Sequence, residues 1–285
     1  MASQVLVEAD PVVAAEPAYA NVNALLKECH FARQRVAPGR LREFAFELEG
    51  GGRVALELHE KPGAEIGSIT WGGAEAMCAA LAAAARAPPP PLRRRGVRVL
   101  ELGAGTGLAG LFCSRAFGAA VTLTDQAPLL PLLRANAARS GHAHRSSPVA
   151  VRELAWGADR QDDDEAGPEA GPELVLLADV VYDERSVAPL LAEIRRVLAR
   201  DLAAAPRCEC LLLAYKRRDV AAERAFFTQL GGVGVATLRV MTKGHREDAA
   251  AELRGSPGPW TPSTEARLAA GSTEVFELLP RGAVR

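Results

Sequence analysis

Two short stretches hold most of the residues able to do chemistry. The first, Glu101-Leu102-Gly103-Ala104-Gly105-Thr106-Gly107, runs out of an apolar strand pattern and into a helix pattern that opens at Leu108. Glycines at alternate positions let a backbone turn sharply and bring its N–H groups against a ligand at a helix start. The second is Ala178-Asp179-Val180-Val181-Tyr182, in which a carboxylate closes the apolar run Leu174 to Ala178. A carboxylate buried there needs a partner to offset its desolvation, and an incoming amine is a natural one. Tyr182, three residues on, can wall a channel with its ring or accept a hydrogen bond from that amine.

The glycines alone do not choose a ligand. Gly105, Gly107 and Gly110 also satisfy the G-x-G-x-x-G spacing of dinucleotide sites, and Asp125 follows at the end of the next strand pattern, where a carboxylate meets ribose hydroxyls. Charge separates the candidates. A nicotinamide dinucleotide places a pyrophosphate at this helix start, which Glu101 repels, whereas S-adenosylmethionine brings a sulfonium and an ammonium, which Glu101 suits. S-adenosyl-L-methionine is therefore the expected cofactor, held by Glu101, Gly103, Ala104, Gly105, Gly107 and Asp125, with Ala178 beside them.

The elements around these stretches alternate. Apolar strand patterns at Val97 to Leu102, Val121 to Thr124, Val149 to Leu154, Leu174 to Ala178 and Leu211 to Ala214 are separated by helical patterns at Leu108 to Phe117, Leu129 to Ser140, Ser186 to Arg200 and Val220 to Leu230. Strand, helix, strand in turn means parallel pairing by crossover, hence a doubly wound α/β sheet over residues 97–280 with its ligand edge at the strand carboxyl ends. Val235 to Val240 and Thr273 to Leu278 are expected to pair antiparallel at the end of the sheet. Ahead of the core, alternation on either side of Gly50-Gly51-Gly52 predicts a β-hairpin over 41–60, and Ile69 to Arg86 predicts a helix. The run Pro88 to Pro91 with Arg93-Arg94-Arg95 is expected as a linker.

Composition narrows the class. The 285-residue chain is 48% hydrophobic and 24% charged with a formal net charge of -1, which suits one sizeable globular domain, 41–285, behind a loose, partly disordered arm over 1–40. A short amphipathic helix at Asn21 to Arg33 is the most the arm is expected to form. No basic footprint points to nucleic acid, and no apolar stretch reaches membrane-spanning length. The scattered cysteines, Cys29, Cys78, Cys113, Cys208 and Cys210, form no C-x-x-C pair, so a reducing compartment, cytoplasmic and also nuclear, is expected, with no metal and with a monomeric chain. The stretch Gly157 to Pro172 is expected as a solvated acidic loop. Met241 to Ser272 is longer than a hairpin connection requires and carries Lys243, His245, Arg246 and a lone Trp260; it reads either as an insertion or as a loop that grips an acceptor.

With Gly67-Ser68-Ile69-Thr70-Trp71, the glycine loop, Leu154-Ala155-Trp156-Gly157 and the D-x-x-Y block at Asp179 to Tyr182 in view, residues 41–280 resemble the family-sixteen class I methyltransferases. These are mostly protein-lysine methyltransferases of the methyltransferase-like 21 type, related to enzymes acting on the valosin-containing protein and heat-shock-seventy chaperones. The resemblance implies a seven-stranded Rossmann-like sheet with the last strand antiparallel, preceded by a hairpin and a helix. It also implies that Trp71 lies near the cofactor. Trp156, just past the third strand, is placed to flank adenine. Ala155 stands where the family more often carries an acidic residue.

A lysine acceptor sets a specific problem. With a reference pKa of about 10.4, the neutral amine costs about 4.6 kcal/mol to populate at pH 7, and only the neutral form has a lone pair. Asp179 is the candidate for orienting the amine and Tyr182 for walling its channel. Tyr215 and Lys216 end the fifth strand on the same side but are not assigned a catalytic part. The competing readings are an arginine or small-molecule N-methyltransferase on the same core, a binding module that kept the fold and lost chemistry, and a nicotinamide oxidoreductase.

Overall fold

Along the core strands, side chains alternate between two apolar layers. Leu174, Leu176, Leu212 and Ala214 belong to one buried cluster, and Val175, Leu177, Leu211 and Leu213 to the other. Strands that bury both faces are the expected product of βαβ crossovers, since successive side chains point to opposite sides of the sheet. The computed structural model describes residues 39–140, 148–157, 171–199, 208–242, 245–252 and 262–281. The N-terminal arm, including the helix expected at Asn21 to Arg33, Cys29, most of the expected acidic loop, Lys243 and Trp260 lie outside them.

The chain opens with the antiparallel hairpin β1 (Arg40–Glu47) and β2 (Arg53–Glu60), followed by helix α1 (Gly72–Ala83). The core then runs β3 (Arg98–Leu102), α2 (Leu108–Phe117), β4 (Ala120–Asp125), α3 (Leu130–Ser140), β5 (Val149–Glu153), β6 (Leu174–Ala178), α4 (Glu184–Ala199), β7 (Cys210–Lys216) and α5 (Val220–Gln229). It closes with β8 (Val235–Thr242), β9 (His245–Glu252), α6 (Pro262–Ala269) and β10 (Thr273–Pro280). The strand order is β5-β4-β3-β6-β7-β10-β8-β9, with β3 to β7 parallel and β10 antiparallel to both β7 and β8. Neighbours of β3 lie on opposite sides of it in chain order, which makes its carboxyl end the switch point where such sheets bind ligands.

Helices α1, α2 and α3 cover one face and α4 and α5 the other. Phe44, Val54, Leu56 and Leu58 of the hairpin join the α1 to α3 cluster, so the hairpin shares the core of the sheet. Cys78, Cys113, Cys208 and Cys210 form no disulfide and are buried, as small apolar side chains would be.

Three expectations are corrected. The sheet has eight strands, not seven: β9 pairs antiparallel with the edge of β8 inside the segment read as a loop. Its sequence, HREDAAAE, lacks both alternation and β-branched residues, so only its pairing makes it a strand. The same segment also contains α6, whose Leu268 is buried. The expected Ile69 to Arg86 helix begins at Gly72, because Trp71 is extended (φ -88°, ψ 155°) and stands just before it. Finally, the Pro/Arg run is docked rather than free: Leu92 is buried, and Arg94 donates to Glu173 at 3.0 Å and to Glu209 at 2.6 Å.

Candidate active site

At the carboxyl ends of β3, β4 and β6 a cavity of about 460 Å³ opens, within the size range of small-ligand sites. Trp71, Glu101, Gly103, Ala104, Gly105, Asp125, Trp156, Ala178, Asp179 and Tyr182 all line it. Gly107 does not. Its φ of 88° makes the left-handed turn that starts α2, and a Cβ there would face Leu133, Leu123 and Leu111 in the apolar core. Thr106 takes the place in the wall expected of Gly107.

The glycine loop is held from below by carboxylates. Asp125 Oδ2 accepts from the Gly105 amide at 2.7 Å, and Oδ1 from its neighbour Gln126 at 2.8 Å. Each oxygen keeps a further lone pair for a ribose hydroxyl. Gly105 has φ 55°, and a Cβ would sit 2.9 Å from the Gly67 carbonyl oxygen, so only glycine fits. Glu101 is 1% exposed, and its Oε2 accepts from the Gly110 amide at 2.8 Å. That amide is one of the free donors at the start of α2 that a pyrophosphate would use. A buried acid occupies it instead, so the geometry opposes a dinucleotide and suits a ligand that brings positive charge. Burial pushes the Glu101 carboxyl up to about 8; the Gly110 amide opposes the shift, and the Asp125 charge adds to it.

The hairpin braces this loop. Asn136, fully buried on α3, accepts from the His59 amide at 2.8 Å and donates to the carbonyls of His59 and Thr106 at 3.1 and 3.0 Å. The hydroxyls of Thr70 and Thr106 lie 2.7 Å apart, and the Thr70 amide donates to buried Glu60 at the end of β2. The loop, the hairpin and the segment before α1 therefore form one hydrogen-bonded unit.

On the acceptor side, Asp179 stands out. It is the single non-glycine residue with positive φ (54°) among those described, its side chain is 5% exposed, and its amide donates to the Ala214 carbonyl. Its Oδ2 accepts from the Gly73 amide at 2.7 Å and lies 3.3 Å from Arg218 Nη2. The partner inferred from sequence was an incoming amine; the chain itself supplies two. Oδ1, by contrast, is buried without a hydrogen-bond partner, and of the three residues carrying such an atom among those described, Asp179 alone lines the cavity. An unpaired buried acceptor costs about 1–3 kcal/mol, a cost an acceptor N–H would remove.

The remaining expected residues fall around it. Tyr182 is half-buried, and burial, with the charges of Asp183 and Asp125, raises its phenol above the ordinary value. It stays protonated at neutral pH and so serves as wall and hydrogen-bonding group rather than as a base. Trp71 donates its indole N–H to the Ile66 carbonyl at 2.7 Å and lays its ring under the Arg218 guanidinium, 4.9 Å from the centroid. Trp156 lies against Gly103. Tyr215 is outside the cavity wall: it is buried in the opposite layer and donates to Glu223 at 2.6 Å. Arg218 was not singled out in the sequence, because an arginine at a strand-to-helix junction carries no spacing signal.

The sequence profile of a family described as lysine methyltransferase matches residues 52–232. The protein N-lysine methyltransferase METTL21A of Danio rerio is 32% identical over 165 residues, 58% of this chain and 67% of that protein. The protein-lysine N-methyltransferase EFM6 of Saccharomyces cerevisiae is 31% identical over 201 residues, 65% of this chain and 78% of that one. Among solved structures, the C-terminal domain of precorrin-6Y C5,15-methyltransferase from Rhodobacter capsulatus aligns over 76% of this chain and 94% of its own, at 16% identity and a TM-score of 0.40.

Proposed function

The chain belongs to the lysine methyltransferase family, and on that premise we propose that it moves a methyl group from S-adenosylmethionine to a lysine side chain of a protein. S-adenosylmethionine supplies a methyl on a positively charged sulfur. Glu101 and Asp125, with the close-approaching backbone of Gly103 to Gly105, hold it, and Trp156 and Ala178 complete the pocket. The observation that carries the acceptor side is that Asp179 lines the same cavity as Glu101 and Tyr182 and keeps Oδ1 without a protein hydrogen-bond partner.

Asp179 orients the amine by accepting one N–H at Oδ1, which turns the nitrogen lone pair toward the pocket. Its backbone strain and its two fixed partners keep that oxygen in place, so little reorganisation accompanies acceptor entry. Tyr182 restricts the channel. The described residues of the wall present carboxylates but no imidazole, and the amine proton passes to one of these or to water. Incubation with radiolabelled cofactor and cell lysate, followed by acid hydrolysis and amino-acid analysis, tests this. Methyl-lysine is the expected labelled product; label in methyl-arginine or in a protease-resistant small molecule overturns the assignment.

A further inference from the structure

A carboxylate facing a lysine presents a difficulty, because it favours the charged amine, which has no lone pair. Arg218 answers it. We infer that Arg218 is a positioning residue that neutralises the Oδ2 side of Asp179, so that Oδ1 receives the acceptor as a neutral amine rather than as a paired ammonium. This inference rests on the lysine reading above.

The charged side chains of the cavity wall are acidic with one exception. Glu65 ahead of α1, Glu101 at the end of β3, Asp125 at the end of β4, and Asp179 and Asp183 after β6 all line it. Arg218, after β7, is the single cationic side chain in that wall among the described residues. Without it, an ammonium would meet a field of one sign. Nearby charges outside the wall are already committed: Arg42 pairs with Glu75 at 2.8 Å, and Arg217 pairs with Glu223 at 2.6 Å. Tyr182 is a neutral phenol.

Geometry makes the arrangement durable. The guanidinium lies 3.3 Å from Oδ2 and stacks on the Trp71 ring, while Trp71 is itself pinned through its indole N–H. Stacking on an aromatic face and a fixed charge suit arginine, which stays protonated throughout the working range of pH. The cation therefore remains beside Asp179 Oδ2, while Oδ1 is left without a protein hydrogen-bond partner. The two oxygens of one carboxylate are divided between structure and substrate.

The test is a pH profile. Initial rates of methyl-lysine formation are measured between pH 6.5 and about 9.5, with radiolabelled S-adenosylmethionine as donor and diluted cell-lysate protein as acceptor, for the unaltered protein, Arg218→Gln and Arg218→Lys. With Arg218→Gln, the rising limb is expected to move about one unit higher, a loss of about tenfold at pH 7.5 that shrinks as pH rises. Arg218→Lys keeps the charge and is expected to restore most of the rate at pH 7.5. A loss by Arg218→Gln that is equal at every pH, or an unshifted profile, overturns the inference while leaving the lysine reading intact. Absence of methyl-lysine with the unaltered protein at every pH overturns both. Because the Arg218 side chain is 31% exposed, the fold is expected to survive, and calorimetry with S-adenosylhomocysteine should give affinities for both variants within threefold of the unaltered protein.

Discussion

The Gly73 amide donates to Asp179 Oδ2 across 2.7 Å, although the two residues stand 106 positions apart. Gly73 lies in the first turn of α1, whose preceding residue, Trp71, offers no side-chain cap. Asp179 therefore satisfies an orphan helix donor from another element, and the helix dipole favours its negative charge there. One carboxylate joins the helix before the core to the carboxyl end of β6.

Replacement at Asp179 should separate its two duties. Asparagine caps helices as well as aspartate does and tolerates a left-handed backbone, so Asp179→Asn is expected to keep the melting temperature and S-adenosylhomocysteine affinity near those of the unaltered protein while losing at least about a hundredfold in transfer. Asp179→Ala, which loses the cap and strains the backbone, is expected to be less stable by about 1–3 kcal/mol in denaturant titration. Wild-type turnover by Asp179→Asn rules out its part in orienting the amine.

At Gly73, an added Cβ would lie 2.7 Å from Asp179 Cγ. Alanine gains about 1 kcal/mol of helix propensity and meets about 1–3 kcal/mol of overpacking, so Gly73→Ala should shift stability little. Because the displaced group is Asp179, methyl transfer should fall at least tenfold with cofactor affinity preserved. Full activity in this variant means the Asp179 position is less tightly set than its contacts imply.

Glu101 predicts a pH signature. Its pKa rises from about 4.3 in an unfolded chain to about 8 in the fold, chiefly through burial, so the folded state holds the proton more tightly. The stabilisation is fully present below pH 4.3 and declines as pH rises towards 8. A cationic ligand favours the carboxylate, so cofactor binding at pH 6.5 should release a proton. Calorimetry in buffers of different ionisation enthalpy is expected to show that release in the unaltered protein and its absence in Glu101→Gln; equal release in both defeats the assignment.

Asn136→Ala removes three hydrogen bonds, the one to Thr106 fully buried and the two to His59 part-buried, and takes their partner from the His59 and Thr106 backbone groups. A loss of about 2–4 kcal/mol is expected in denaturant titration, accompanied by weaker cofactor binding because Thr106 belongs to the glycine loop. A loss of stability with unchanged affinity means the hairpin only packs.

The parallel core was legible because Leu174 to Ala178 and its fellow strands carry their burial in composition, and the glycine loop because its residues answer to backbone geometry. Asp179 was legible from an acid closing an apolar strand. What sequence could not supply was pairing between distant residues. Arg218 meets Asp179 only because β6 and β7 are neighbours, and β9 is a strand through its partner rather than through its residues. Gly107 was misplaced for a related reason: the glycine spacing predicts a turn but not which of its glycines faces the ligand.

The bracing of the glycine loop by Asn136, Thr70 and Glu60 links the site thermodynamically to a hairpin outside the main sheet. A ligand that binds only the ordered loop lowers the population of every opened form in which those bonds are broken. Amide hydrogens of His59 and Thr70, which donate to Asn136 and Glu60, should therefore exchange more slowly with solvent when the pocket is filled. The hairpin becomes a reporter of occupancy, readable by hydrogen exchange without any acceptor protein.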